Sequence, residues 1–155
     1  MTTPTRAERR RTDPDLGVLA ARLLFAVQRE LFAGLAAEGF DDVRPRHGAV
    51  MAYLDYDGVR ATELAGLSGQ HKQVIGTLVD ELEALGYVER LPDPADRRAK
   101  LVRPTDRGLA YMKAADKIMA GIQTRHARRL GQGRYSQFKA ALRDVTEHQR
   151  GRAVT

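Results

Sequence analysis

The sequence predicts a mainly α-helical fold carrying one short β-hairpin, on three observations. Apolar residues recur at helical spacing over most of the 155 residues, strict alternation is confined to short stretches near residues 87–91 and 99–103, and clusters of Gly, Pro and Asp punctuate the chain between them. The length suits one domain with its own core. With 43% apolar and 30% charged residues, that core is expected to draw on Leu, Val, Ala and Met more than on the four Phe and five Tyr.

Taken in order, residues 1–13 carry Arg6, Arg9, Arg10 and Arg11 without apolar periodicity and are expected to form a mobile basic tail, either simply solvated or an arm of the kind that reaches nucleic acid. A single domain is expected over residues 14–150. From Asp15, the residues Leu16, Leu19, Leu23, Val27, Leu31 and Leu35 recur at helical spacing as far as Gly39, which predicts a long amphipathic first helix. A second helix follows Arg44-Pro45, with Val50, Met51 and Leu54 as its apolar positions, and Asp57-Gly58 closes it. Thr62 and Glu63 open a short helix that ends at the Ser68-Gly69 turn. The next helix is expected from about Gln70 to Leu85. Its buried stripe reads as Val74, Leu78, Leu82 and Leu85, with Ile75 and Val79 beside it, so that Gln70, His71, Gln73, Gly76 and Thr77 face outward.

Gly86 stops that helix, residues 87–91 alternate as a strand, and Ala99 to Arg103 can return antiparallel, with the loop Pro92 to Arg98 between them. Pro104 cannot donate to a ladder, so the returning strand must end there. Thr105 caps a long helix through Leu109, Met112, Ile118, Met119, Ile122 and Leu130, broken near Gly131 to Gly133. A last helix places Tyr135, Phe138, Leu142 and Val145 on one face.

A short helix-turn-helix running directly into a hairpin with a cationic tip is a winged helix-turn-helix, which offers one helix to a major groove and a neighbouring grip on the phosphate backbone. The net charge of +6 supports this only through its distribution. Lys and Arg balance Asp and Glu between residues 60 and 107, whereas the surplus lies between Arg125 and Arg152. Segregation carries more weight: from 97 to 107, Arg97, Arg98, Lys100, Arg103 and Arg107 face only Asp106. On the helix, Gln73 suits bidentate pairing with adenine, Lys72 and Thr77 suit phosphates, and His71 suits either. Gly76 inside the helix invites either close approach of a partner backbone or a tolerated surface glycine.

The runs Ala61-Thr62-Glu63-Leu64-Ala65, Val79 to Arg90, Asp93-Pro94-Ala95-Asp96-Arg97-Arg98 and Thr105-Asp106-Arg107-Gly108, in that order and spacing, resemble the MarR family of bacterial transcription regulators. The resemblance implies a homodimeric regulator, most often a repressor, that binds a pseudo-palindromic double-stranded operator and is released by a small ligand. It implies a DNA-binding module over about 44–104 and dimerisation helices over about 14–39 and 105–150. By the same resemblance Arg98 is the wing arginine, Asp96 the carboxylate that orients it, and Arg97 and Lys100 its cationic neighbours. An effector would sit near Arg46, His47, Met51 and Tyr53. His71 stands where the family commonly has Thr or Ser to cap the reading helix, so Ser68 or Gly69 is expected to supply the cap.

Other function classes find less support. Absence of cysteine excludes disulfides, thiolate metal sites and thiol redox sensing. No nucleophile with a base, paired carboxylates or phosphate-cradling glycine loop stands at convincing spacing, so no enzyme and no cofactor is expected. His47, His126 and His148 with Asp116 or Glu147 leave a metal-responsive regulator as one alternative, and a winged-helix protein-interaction module as another. With no apolar run long enough to span a membrane or serve as a signal segment, a cytoplasmic location is expected.

Overall fold

The computed structural model describes residues 3–152 and contains, among them, seven α-helices and a three-stranded sheet. The chain divides into two compact units, Met1–Ala115 and Asp116–Thr155. The first holds α1 (Arg6–Thr12), α2 (Leu16–Ala37), a 3₁₀ turn at Pro45–His47, α3 (Gly48–Met51), β1 (Val59–Arg60), α4 (Ala61–Ser68), α5 (Lys72–Ala84), β2 (Val88–Asp93), β3 (Asp96–Pro104) and the start of α6 (Asp106–Leu130). The second holds the rest of α6 and α7 (Gln132–Arg152).

Two elements differ from expectation at the amino-terminal end. Residues 6–12 of the basic stretch are helical because Thr5 and Glu8 form a reciprocal capping box: Thr5 Oγ1 accepts from the Glu8 N–H at 3.2 Å and Glu8 accepts from the Thr5 N–H at 2.6 Å. That helix buries nothing, as a segment without apolar periodicity must. The helix expected to reach Leu54 stops at Met51, because the Tyr53 N–H turns back to the Val50 carbonyl and Leu54 enters the core from the loop that follows.

The core of the first unit gathers Leu35, Val50, Leu64, Ile75, Val79, Leu82, Tyr87, Val88 and Val102, each almost wholly buried. The sheet order is β1-β3-β2, all antiparallel, with Val59 opposite Val102 and Arg90 opposite the same residue from the other side. As Pro104 requires, β3 ends there.

The Thr105-to-Gly108 run has a tight physical basis. The Thr105 N–H donates to the Tyr87 carbonyl at 3.0 Å, its hydroxyl donates to the Gly86 carbonyl, and the same oxygen accepts from the Gly108 N–H at 3.1 Å. A Cβ on Gly108 would sit 2.1 Å from the Tyr87 carbonyl oxygen, so only glycine lets the start of α6 lie against β2. Tyr87 in turn packs edge-on to Tyr111 at 5.6 Å and lies 6.3 Å from Phe40.

In the second unit, Gly131 at φ +86° separates α6 from α7, as expected. Lys139 on α7 donates to Gln123 on α6 at 2.6 Å. No residue of α7 is buried, and Phe138, Leu142 and Val145 stand 39–45% exposed along it.

Candidate nucleic-acid interface

The α4–α5 turn is closed by Gly69 at φ +74° and by Ser68, whose hydroxyl accepts from the Gln70 N–H at 3.3 Å. Neither residue caps α5. The helix starts one turn-fraction later than expected, at Lys72, with His71 as an N-cap that makes no side-chain bond. Its phase also differs. The buried stripe is Ile75, Leu78, Val79 and Leu82, with Leu85 half-buried, while Val74 is 41% exposed. The cause is that apolar residues flank the stripe on both sides, so two phases fit the sequence and β2 and α4 select the one centred on Ile75 and Leu82. The outward face at the start of α5 therefore carries Gln70, His71, Lys72, Gln73, Val74 and Thr77. Thr77 donates its hydroxyl to the Gln73 carbonyl at 3.1 Å, and Gly76 is half-buried with open space where a Cβ would be.

At the wing, β2 and β3 pair Asp93 with Asp96 around Pro94 and Ala95, and the register then shifts so that Pro92 faces Lys100. Arg97, Arg98 and Ala99 thus bulge out of the ladder, with both arginines and Lys100 exposed. Asp96 does not reach the guanidinium of Arg98; its carboxylate accepts from the Arg98 backbone N–H at 3.0 Å, which fixes the bulge rather than the side chain. The carboxylate that organises the wing is Asp93. Its Oδ2 accepts from Arg60 at 2.8 and 2.6 Å, and its Oδ1 accepts from the Ala95 N–H at 2.9 Å. The Ala95 N–H and then Arg60 hold the Asp93 carboxyl below its ordinary range. Sequence reading missed this pair because its members lie far apart in the chain, although an Asp two residues before an exposed N–H at a turn is a local signal for half of it.

Charge pairing resolves the neutral sum of the module. On α5, Asp80 and Glu83 pair with Arg90 at 2.7 and 3.0 Å, and Glu81 pairs with Arg46 at 2.9 Å. Lys72, Arg97, Arg98 and Lys100 are exposed and form no ion pair among the described residues. The three acids of α5 are thus matched by Arg46 and Arg90, and the cations at the start of α5 and on the wing meet solvent.

The four residues expected to line an effector site are placed differently from one another. His47 is 1% exposed: its Nδ1 accepts from the Arg44 N–H at 2.9 Å, which leaves Nε2 to donate to Glu81 at 2.6 Å. That bond, and then Arg46, hold the Glu81 carboxyl low. Met51 is buried and Tyr53 is 40% exposed. His47 and Arg46 are thereby joined to the helix that carries the outward face. Among the described residues no group of three or more His, Asp or Glu is placed to hold a metal ion, and with both ring nitrogens engaged His47 has no lone pair to offer one.

The sequence profile of the MarR family matches residues 41–99, the stretch that contains this helix-turn-helix and wing. Over that stretch the chain is similar to the MarR family. Among solved structures, CouR from Rhodococcus jostii RHA1 bound to p-coumaroyl-CoA is 28% identical at a TM-score of 0.70, over 84% of this chain and 91% of that one. A MarR-family transcriptional regulator from Rhodococcus sp. RHA1 is 26% identical at 0.68, over 86% and 95%. The S. aureus MepR–DNA complex, at 20% identity, shares the fold at 0.71 over 86% and 98%. Among curated proteins, no sequence matches the chain. Among the described residues no helix is long and apolar enough to cross a membrane.

Proposed function

We propose that this chain is a MarR-family DNA-binding transcription regulator, a homodimeric repressor that places α5 of each protomer in successive major grooves of a pseudo-palindromic operator, with the wings on the flanking backbone. The observation that supports it best is the division of charge: every acid on α5 is paired with an arginine of the same module, while Lys72, Arg97, Arg98 and Lys100 are left unpaired among the described residues and exposed beside Gln70, His71, Gln73 and Thr77, with half-buried Gly76 between them. Arg98 enters the minor groove and Gln73 reads adenine. The module spans about 44–104. Dimerisation uses the helices over about 14–39 and 105–150, where Leu16, Leu19 and Leu23 on one face of α2 stand 39–60% exposed and Leu24 and Phe25 beside them 52–61%.

A small-molecule effector acts near Arg46, His47, Met51 and Tyr53. CouR and its p-coumaroyl-CoA give the precedent for a small ligand on this fold, and Glu81 gives the physical link, since a ligand that competes for Arg46 or His47 releases a contact to the reading helix. Selection of bound duplexes from a random DNA pool tests the reading. Enrichment of an inverted repeat with half-sites about one helical turn apart is the expected result; weak binding without enrichment overturns it.

A further inference from the structure

On the reading helix one exposed side chain is large and apolar. Val74 is the third residue of α5, in the amino-terminal turn whose side chains contact base edges when such a helix lies in a groove. A single exposed valine is ordinary on a protein surface, and a β-branched residue brings no helix propensity that would explain its choice. Its neighbours give it meaning. The stripe that packs inward is Ile75, Leu78, Val79 and Leu82, so Val74, 41% exposed, lies at the outward edge of that stripe beside Gln73 and Thr77.

The chemistry around it is suited to one feature of DNA. Thr77, one turn on, has its hydroxyl proton committed to the Gln73 carbonyl at 3.1 Å, so it brings no free donor to the space beside Val74. The only Lys, Arg, Asp or Glu from residue 70 to 77 is Lys72, and the next carboxylate along that face, Asp80, is paired with Arg90 at 2.7 Å. An exposed valine in a major groove has one apolar partner among the base edges, the 5-methyl group of thymine, which no other base presents.

We infer that Val74 is a specificity-determining residue that seats the 5-methyl group of one thymine in each half-site. This rests on the proposed operator binding and adds a required base to it. Gln73 beside Val74 is matched to adenine, so the two together favour A·T pairs at adjacent positions of the half-site.

Replacing thymine by deoxyuridine removes the methyl and nothing else, which makes the contact testable atom for atom. With the full chain and its selected operator, each thymine of a half-site is exchanged singly for deoxyuridine, and affinity is measured for the wild type and for Val74→Ala, whose helix is checked by circular dichroism. At one thymine per half-site the wild type should weaken about fourfold, the worth of one buried methyl-sized group, while Val74→Ala binds thymine and uracil duplexes alike. Enrichment of an operator whose uracil substitutions are all silent, or cost Val74→Ala as much as wild type, overturns the role of Val74 and leaves operator binding standing. Failure to enrich any operator overturns both.

Discussion

At Gly108 a single missing atom decides whether the wing and α6 can meet. The Cβ of alanine there would fall 2.1 Å from the Tyr87 carbonyl oxygen, a backbone atom held from the other side by the Thr105 N–H, so neither party can yield cheaply. Gly108→Ala is expected to destabilise by about 2–4 kcal/mol, the range of a forced overpacking. Gly121→Ala, where a Cβ meets nothing within 4 Å, is the control and should be neutral or slightly stabilising. Urea midpoints of the two variants check this; equal midpoints would sink it. Tyr87 itself links charge to fold. Its hydroxyl donates to Asp42, which also accepts from Arg107 at 2.9 Å, while the Arg107 guanidinium lies 4.4 Å from the Tyr87 ring centroid. Burial raises the Asp42 carboxyl, but the Tyr87 and Arg107 contacts outweigh it and leave it low; burial and then Asp42 push the Tyr87 hydroxyl up, and burial raises Tyr111 to about 12. The signs differ at the two ends of the pH scale. The lowered carboxyls of Asp42, Glu81 and Asp93 give stability that is present above about pH 4 and lost as pH falls below it. The raised tyrosines give stability that is full below about pH 10, where an unfolded tyrosine ionises, and lost above it. Urea midpoints should therefore fall on both sides, and Tyr87→Phe should flatten the alkaline limb.

Between elements, the wing is held by Arg60 on β1 and Asp93 at the end of β2. In the proposed complex this pair is a positioning device: it touches no DNA but fixes the bulge from which Arg97 and Arg98 project. Asp93→Asn removes the charge and keeps the shape. It should weaken operator binding severalfold with an unchanged far-ultraviolet spectrum, and it should do so most at high temperature, where an unstrapped hairpin explores more conformations. An unchanged affinity would mean that the hairpin holds itself. The elements also mark what was legible beforehand. From α2 onward the order of helices and the β2–β3 hairpin, the stops at Gly39, Gly69, Gly86 and Gly131, and the end of β3 at Pro104 follow from local backbone chemistry, so spacing and turn residues disclosed them, whereas the two-residue β1 and the capped helix α1, which lack an apolar period, were not expected. The phase of α5 did not, because its apolar positions support two stripes and only β2 and α4 choose between them. Arg60 with Asp93, and Glu81 with His47, were invisible for a related reason: each joins residues more than 30 positions apart, and nothing local encodes such a pairing.

For the whole molecule, the net charge of +6 sits between residues 125 and 152 and not on the reading module, which leaves open to measurement which cations meet DNA. The slope of log affinity against log salt counts them, since each phosphate neutralised contributes about −0.9. Were Lys72, Arg97, Arg98 and Lys100 of each protomer to neutralise one phosphate apiece, the dimer would show a slope of about −7. Bringing in the α6–α7 cations as well would make it far steeper. Arg97→Ala separates the two cases: it removes one contact from each protomer and should shallow the slope by about 2, whereas a neutral substitution of Arg134 and Arg143 on α7 should leave it unchanged. Affinity measured for these variants between about 50 and 200 mM salt decides the matter. A slope that falls with Arg134 and Arg143 and ignores Arg97 would assign the basic surplus to DNA and the wing to some other partner. A slope that falls with Arg97 alone would give α7 a different task, compatible with its exposed Phe138, Leu142 and Val145 meeting a second copy of the chain.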